Sequence, residues 1–344
     1  MSLASRGAGG AALPEGPSPP MTAYIIGRVL RGIVLLLAVS ALTFVLFNVL
    51  PSGDQATLRA GRGASPQAIV HVRHELGLDK PVFTQFIDYM KGIVLHFNLG
   101  YSYYSEAPVK SLIAGRLPAT LSLAAGAGLL WVLAGIPVGM ISALGRRTRL
   151  DRVAMRTALV LVSMPVFWLA LIVLFLFSSA VGKLPLLPGA NTYAGLTVNP
   201  GKWLGSLILP WLVLAASFAA IYSRLLRARL SEAMGEDYIR TARAKGLSER
   251  RVIFLHGLRS ALTPVLTIFG LEIGVLLGGV LITETVFDIP GIGRLNYDAI
   301  LHANFPIVQG TVLLAAMLIV VVNVIADTIN AYLDPRARYG IRSR

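Results

Sequence analysis

Six apolar runs, each long enough to cross a bilayer, constrain this chain more than any other feature. They are Tyr24–Leu50, Thr120–Leu144, Ala158–Val181, Leu204–Tyr222, Leu262–Thr283 and Ile307–Tyr332. A transmembrane helix needs about 20 mostly apolar residues, at ~1.5 Å each, to span a hydrocarbon core of about 30 Å. Backbone polar groups inside lipid must be satisfied within the segment, so each run is expected to be a helix. The first run far exceeds the roughly 7–15 residue apolar core of a signal peptide. It is expected to be retained, starting near Arg28 and Arg31 and stopping at Pro51-Ser52-Gly53. The expected fold class is therefore all-α, a polytopic membrane protein with six transmembrane helices. Only 14% of residues are charged, against about 25% in soluble domains.

An even number of spans leaves both termini on one side, and charge says which. The loop Gly145–Arg152 holds four Arg, and the loop at 226–261 holds eight Lys/Arg against four acids. Arg336, Arg338, Arg342 and Arg344 follow the last span, whereas the opposite loops 182–203 and 284–306 hold only Lys183, Lys202 and Arg294. Basic residues accumulate in cytoplasmic loops, so both termini are expected on the cytoplasmic side. The same rule accounts for the net charge of +14 without a nucleic-acid partner. Residues 51–117 are expected outside despite seven Lys/Arg, because long loops translocate largely regardless of charge.

The chain divides into a Gly/Ala/Pro/Ser-rich tail at 1–20, expected to be disordered, a membrane domain at 21–333 and a basic tail at 334–344. Within the external segment two or three short helices are expected. One starts at Ser65-Pro66-Gln67, a capping Ser before a Pro at the first helical position, and continues through Ile69, Val72 and Leu76.

No residue suggests chemistry. There is no Cys, which removes disulfides, thiolate metal sites and Cys nucleophiles. His71, His74 and Glu75 do not have the spacing of a zinc-enzyme motif, and no phosphate loop, HExxH or GxSxG is present. No catalytic, metal or cofactor residue is therefore expected in this chain.

The segment Glu236–Pro264 is a polar island between apolar runs. Ordinary connections between membrane helices are short, so one of this size needs a reason. It is expected to form two short helices joined at Gly246, which tolerates the left-handed conformation that ends helices. Tyr238, Ile239 and Ala242 share one face of the first helix. Ser248 is expected to cap the second, with Glu249 in its first turn, Val252, Ile253 and Leu255 along it, and Pro264 opening the next span. A docking site for a partner follows.

Within the membrane, Gly270, Gly274 and Gly278 make a small-residue stripe suited to close helix packing. Glu272 lies about 200° from that stripe. A carboxylate there should line a translocation path or bond a neighbouring helix. Asn323 and Asp327 are expected to bond between helices near the inner end. Pro137, Pro165 and Pro210 interrupt three spans and can kink them.

The run DYIRTARAKGLSERRVIFLHGLR (237–259) resembles the cytoplasmic loop of binding-protein-dependent ABC importer permeases, and most closely the B-type permease of dipeptide and oligopeptide importers. The stretches ASPQAIVHVRHELGLDKP (64–81), GRLPATLSLA (115–124), ETVFDIPGIGRL (284–295) and DPRARYG (334–340) support the likeness in order along residues 21–340. Arg240, Thr241 and Ala242 stand where the general loop pattern begins with an acid, a substitution that looks usual for the peptide subfamily. Asn98 replaces an expected Asp, and Asp288-Ile289 replaces a small polar residue and Trp.

The resemblance implies a type I importer fold that pairs with a homologous C-type permease. It implies two ABC ATPase subunits, separate or fused, which bind ATP and Mg and grip a coupling helix around Arg243, Ala244, Lys245, Gly246, Leu247, Ser248 and Glu249. An extracytoplasmic binding protein would deliver a peptide. Nickel, glutathione or another small solute is an alternative cargo. An intramembrane hydrolase using Glu272, or a channel, is an alternative of a different class.

Overall fold

The computed structural model describes residues 21–49, 56–57, 63, 65–75, 77–102 and 104–333. The expected tails at 1–20 and 334–344 and the stop at Pro51-Ser52-Gly53 lie outside the described residues.

Helix α1 covers Met21–Val49, its last turn widened from Val45. Two short helices follow, α2 at Pro66–Glu75 and α3 at Val82–His96. Ser65 Oγ accepts from the Ala68 N–H at 3.2 Å, so α2 has its Ser cap and its Pro at the first position. A two-residue antiparallel pair, β1 Tyr101–Ser102 with β2 Ala107–Pro108, turns the chain into α4, Val109–Leu144. Then come α5 Arg149–Ser163, α6 Val166–Phe177, α7 Pro200–Ala233, α8 Asp237–Ala244 and α9 Glu249–Leu277. Short helices α10 Leu281–Val286 and α11 Ile292–Leu301 lead into α12, Phe305–Leu333.

Five helices are long and apolar enough to cross a membrane: α1, α4, α7, α9 and α12. The sixth span is not the continuous Ala158–Val181 helix expected from hydropathy. In its place are α5 and α6, bent by 106° where Met164 and Pro165 separate them, which match the length and hydropathy of a span only when counted as a pair. Pro disfavours the helical conformation of the residue before it, and Met164 is extended at ψ 126°. The 12-residue α6 is only about 18 Å long. Pro137 and Pro210, by contrast, sit inside unbroken helices.

Several boundaries move outward from the apolar runs. Helix α4 begins inside the expected external segment, because Val109 and Ile113 are buried against Ile292, Leu295, Ile307 and Val308. Its 36 residues make a rod of about 54 Å, and the 34 of α7 one of about 51 Å. Both exceed the hydrocarbon thickness and must project beyond it. Asn199 Oδ1 starts α7 by accepting from the Lys202 N–H at 2.9 Å, with Pro200 at its first position.

The core is built mainly on α4 against α7. Trp131 is fully buried there, its ring 4.6 Å from Phe218, 5.5 Å from Tyr222 and 5.3 Å from Phe269. Against α12, the stripe Gly270, Gly274 and Gly278 of α9 faces Ala326, Ile319 and Ala315, with no room for a Cβ between Gly270 and Ala326. Helix α1 packs mainly on α12, where Arg28 meets Asp327 at 2.6 Å. Asn330 of α12 donates to Thr267 Oγ1 of α9 at 2.8 Å. Asp327 thus bonds between helices as expected, whereas Asn323 makes no hydrogen bond among the described residues and Asn330, not singled out in the sequence, makes one instead.

At the basic end, the turn into α5 is closed twice. Thr148 Oγ1 accepts from the Asp151 N–H at 3.3 Å, and Asp151 accepts from the Arg147 N–H at 2.9 Å. Arg227 of α7 then donates to both Asp151 oxygens at 2.6 and 2.8 Å. Asp151→Ala leaves the guanidinium of a 27% exposed Arg227 side chain unpaired. The expected loss is on the order of 2 kcal/mol, below that of a wholly buried pair. A thermal melt in detergent checks this, and an unchanged midpoint refutes it.

Candidate functional site

The residues 243–249 come together as one turn at the basic end. Helix α8 ends at Ala244, and Gly246 takes φ +75°. The Gly246 N–H donates to the Arg243 carbonyl at 2.9 Å and the Leu247 N–H to the Ala242 carbonyl at 3.4 Å. That pair of bonds is the Schellman arrangement, which satisfies the last carbonyls of a helix through a left-handed residue. Leu247 then folds back onto a small cluster of Ile239, Ala242 and Val252, with Met234 beside it. Arg243 donates to both oxygens of Glu249, at 3.1 and 2.6 Å, closing the turn from outside. Ala244, Lys245, Gly246 and Ser248 are exposed.

Several expectations for this island are corrected. It holds one short helix, not two. The second is the start of α9, which runs unbroken from Glu249 to Leu277. Nothing between Arg251 and Pro264 stops it: the wide turn Val252–Leu258 accommodates Gly257, and Pro264 lies inside the helix instead of opening it. Likewise α7 reaches Ala233, so much of the expected loop at 226–261 is helix projecting from the membrane. Ser248 stands at the cap position but its side chain makes no cap bond. Tyr238 is 43% exposed, off the buried face of Ile239 and Ala242.

Glu272 is not part of this turn. It lies 23 residues along α9, about 35 Å away. Val265 and Leu276, on the same face, are both 3% exposed and belong to the main core, while Glu272 itself is half-buried. In the same core the Tyr222 hydroxyl of α7 is buried, and among the described residues it has no hydrogen-bond partner. Among the described residues the carboxylate itself makes no hydrogen bond or ion pair, so the interhelical bond is not formed within this chain.

At the opposite end a second carboxylate is fully committed, and no local sequence pattern marks it. Glu284 is wholly buried. Oε1 accepts from Thr120 Oγ1 at 2.8 Å and Oε2 from the Arg294 N–H at 2.8 Å, while Thr120 Oγ1 accepts from the Ile292 N–H at 2.8 Å. A Cβ on Gly291 would overlap the Glu284 carboxyl group. Two of the stretches singled out by motif, 115–124 and 284–295, are thus one interlocked structure. Of the departures from the motif, Ile289 is buried in the main core and Asp288 pairs with Arg294. Asn98 Oδ1 accepts from the Gly100 N–H at 2.9 Å, closing the bend after α3.

The same end carries a cavity of about 590 Å³ whose lining includes Asn48, Gln85, Tyr89, Asn304 and Gln309. The Tyr89 hydroxyl and Gln309 Nε2 are buried there without hydrogen-bond partners. At its rim Lys80 holds the Asp88 carboxyl below the usual range by a 2.9 Å contact. Among the described residues no group of His, Asp and Glu is arranged to hold a metal.

Comparison with known proteins agrees with this architecture. The family model "Binding-protein-dependent transport system inner membrane component" matches residues 135–339, and the model for the N-terminal part of such membrane components matches 21–124. A protein of Brucella abortus (strain 2308), provisionally named a peptide transport system permease, is 42% identical over 319 residues, covering 93% of this chain and all of the relative. The dipeptide transport system permease protein DppB of Escherichia coli (strain K12) is 37% identical over 339 residues, 93% of this chain and 99% of its own. The di/tripeptide transport system permease protein DppB of Pseudomonas aeruginosa (strain UCBPP-PA14) is 38% identical, with the same two coverages.

Proposed function

The chain belongs to the binding-protein-dependent transport system inner membrane component family, whose members are transport subunits and not enzymes, and from that membership we propose that it is the permease of an ATP-driven importer of dipeptides or oligopeptides. The substrate class rests on the relatives, which are named for peptide, dipeptide and di/tripeptide transport. Nickel or glutathione is the less favoured cargo. Family membership removes the intramembrane hydrolase from consideration.

The observation that carries the mechanism is the Gly246 turn. It is a rigid knob with its own small core, and it leads directly into a membrane helix. We assign its exposed residues, 244–246 and 248, to the cleft of an ABC ATPase. ATP and Mg bind in that partner, not here. A second, C-type permease completes the pore, two ATPases or one fused pair engage the two coupling turns, and both termini lie in the cytoplasm. Closure of the ATPases draws the turns together and opens the pore outward to a docked binding protein. The cavity beside Tyr89 and Gln309 is at the end that such a protein would approach.

In this scheme Arg243 is a brace for the turn, since Glu249 already holds its guanidinium. Lys245 is the cation left for the ATPase. Accordingly Lys245→Ala is expected to weaken ATPase attachment in a salt-dependent way, read by co-purification across a salt series. Salt-independent recovery of the complex refutes this.

The test of the whole reading is ATP hydrolysis by the complex reconstituted with its binding protein. Dipeptides are expected to stimulate it. Stimulation by nickel or glutathione alone overturns the peptide assignment.

A further inference from the structure

The outward face of α5 differs from that of the other membrane helices. Arg149, Arg152 and Arg156 fall on one side of it, at helical spacing, beside exposed Leu150 and Val153. Toward the bend the exposed residues become apolar, at Leu159, Val160 and Val162. A helix with arginines beside an apolar strip, bent by 106° from the segment that follows, is built to lie where headgroups meet acyl chains.

Between α5 and α7 runs an open groove of about 470 Å³ lined by Met155, Val162, Ile221, Arg224, Leu225 and Arg227. Arg227 is already held by Asp151. Arg224 is exposed and, among the described residues, makes no ion pair or hydrogen bond. Arg156, next to Met155, is likewise exposed and unpaired among the described residues. At the bend itself a second, mostly apolar hollow of about 560 Å³ is lined by Leu159, Val160, Met164, Phe167 and Trp168, among others. Cations at one end of an apolar groove match a molecule with an anionic head and a hydrocarbon tail. A free anion makes no use of the apolar walls, and a lipid with no net charge leaves the positive charge of Arg224 unbalanced.

We propose that the α5–α7 groove is a binding site for an anionic phospholipid, its phosphate against Arg224 and an acyl chain along Met155, Val162, Ile221 and Leu225. The bound lipid anchors the bent α5–α6 segment, which no continuous helix holds in the bilayer. This inference requires only that the chain is a membrane permease and is independent of the cargo.

The complete transporter is placed in nanodiscs of phosphatidylglycerol mixed with phosphatidylcholine, extracted into detergent, and weighed by native mass spectrometry. Wild-type complex is expected to retain phosphatidylglycerol in preference to phosphatidylcholine. Arg224→Gln is expected to lower that retention about fivefold. Val162→Trp, which fills the groove without altering charge, is expected to lower it as well. Arg251→Gln, on a different helix, is expected to leave it unchanged. Equal retention of the two lipids overturns the proposal, as does undiminished retention by both groove variants. Displacement of the lipid by inorganic phosphate alone would reduce the site to an anion site. A photo-crosslinker at Val162 that captures a protein chain of the complex instead of lipid would show that a partner covers the groove.

Discussion

Gly246→Val is expected to abolish ATP-driven uptake while the protein still inserts, and Gly246→Asn to keep most of it. The turn residue sits at φ +75°, a conformation that costs an ordinary L-residue about 1–2 kcal/mol and a β-branched one more. A penalty of about 2 kcal/mol leaves the competent turn roughly 30-fold less populated. Asn tolerates the left-handed region and should restore it. Nothing lies within 4 Å of a Cβ built at Gly246, so the effect cannot come from a clash inside this chain. It comes through the backbone: without the left-handed residue the bond from Leu247 to the Ala242 carbonyl is lost and Leu247 leaves its cluster. Uptake of labelled dipeptide by reconstituted vesicles, with ATPase activity measured alongside, reads the outcome. Normal coupled uptake by the Val variant refutes the docking role. Equal failure of Val and Asn would refute the conformational explanation.

The second large effect is at Glu284. Glu284→Ala removes the acceptor for Thr120 Oγ1 and the Arg294 N–H in a site with no solvent exposure. Leaving such groups unpaired is expected to cost about 3–5 kcal/mol, a large share of a marginal stability. Glu284→Gln keeps the shape but presents an NH₂ group to one of two donors, so it should cost less than Ala yet remain clearly destabilising. Gly291→Ala should resemble Glu284→Ala, because its methyl group takes the space of the carboxyl. Thermal melting in detergent and the amount of inserted protein measure both. Melting of Glu284→Ala with the wild type would sink this account.

The two sites differ in how far the sequence revealed them. The Gly246 turn was legible because its signals are local: a polar stretch between apolar runs and one glycine ending a helix. Its second half was misjudged because Pro264 looked like a beginning. In the folded chain the long helix tolerates it one turn beyond the widened stretch Val252–Leu258. The break at Pro165 was equally invisible to hydropathy, since the residues on both sides are apolar. Only the rotation of Met164 out of the helix distinguishes this proline from Pro137 and Pro210. Glu284 could not be singled out at all. Its partner Thr120 lies 164 residues away, and no local pattern records a contact over that separation. The glycines at 291 and 293 were the only trace, as room left for a group that the sequence does not place. The outward shift of α4 to Val109 has the same cause: Val109 and Ile113 are held in place by residues near the other end of the chain.

In the coupling scheme proposed above, helix α9 takes the part of a connecting rod. Its 29 residues extend about 43 Å, from the salt-bridged knob to the glycine-lined seam with α12. A tilt of about 10° about one end carries the other end about 7 Å, more than one helical turn. Such a rod needs no relay of side chains to convey a stroke, only stiffness. We assign its joint to the widened stretch Val252–Leu258, whose first residue already packs in the knob's cluster. Stiffening or loosening that joint should change how much of each ATP-driven stroke arrives in the membrane, leaving both the grip of the ATPase and the walls of the path untouched.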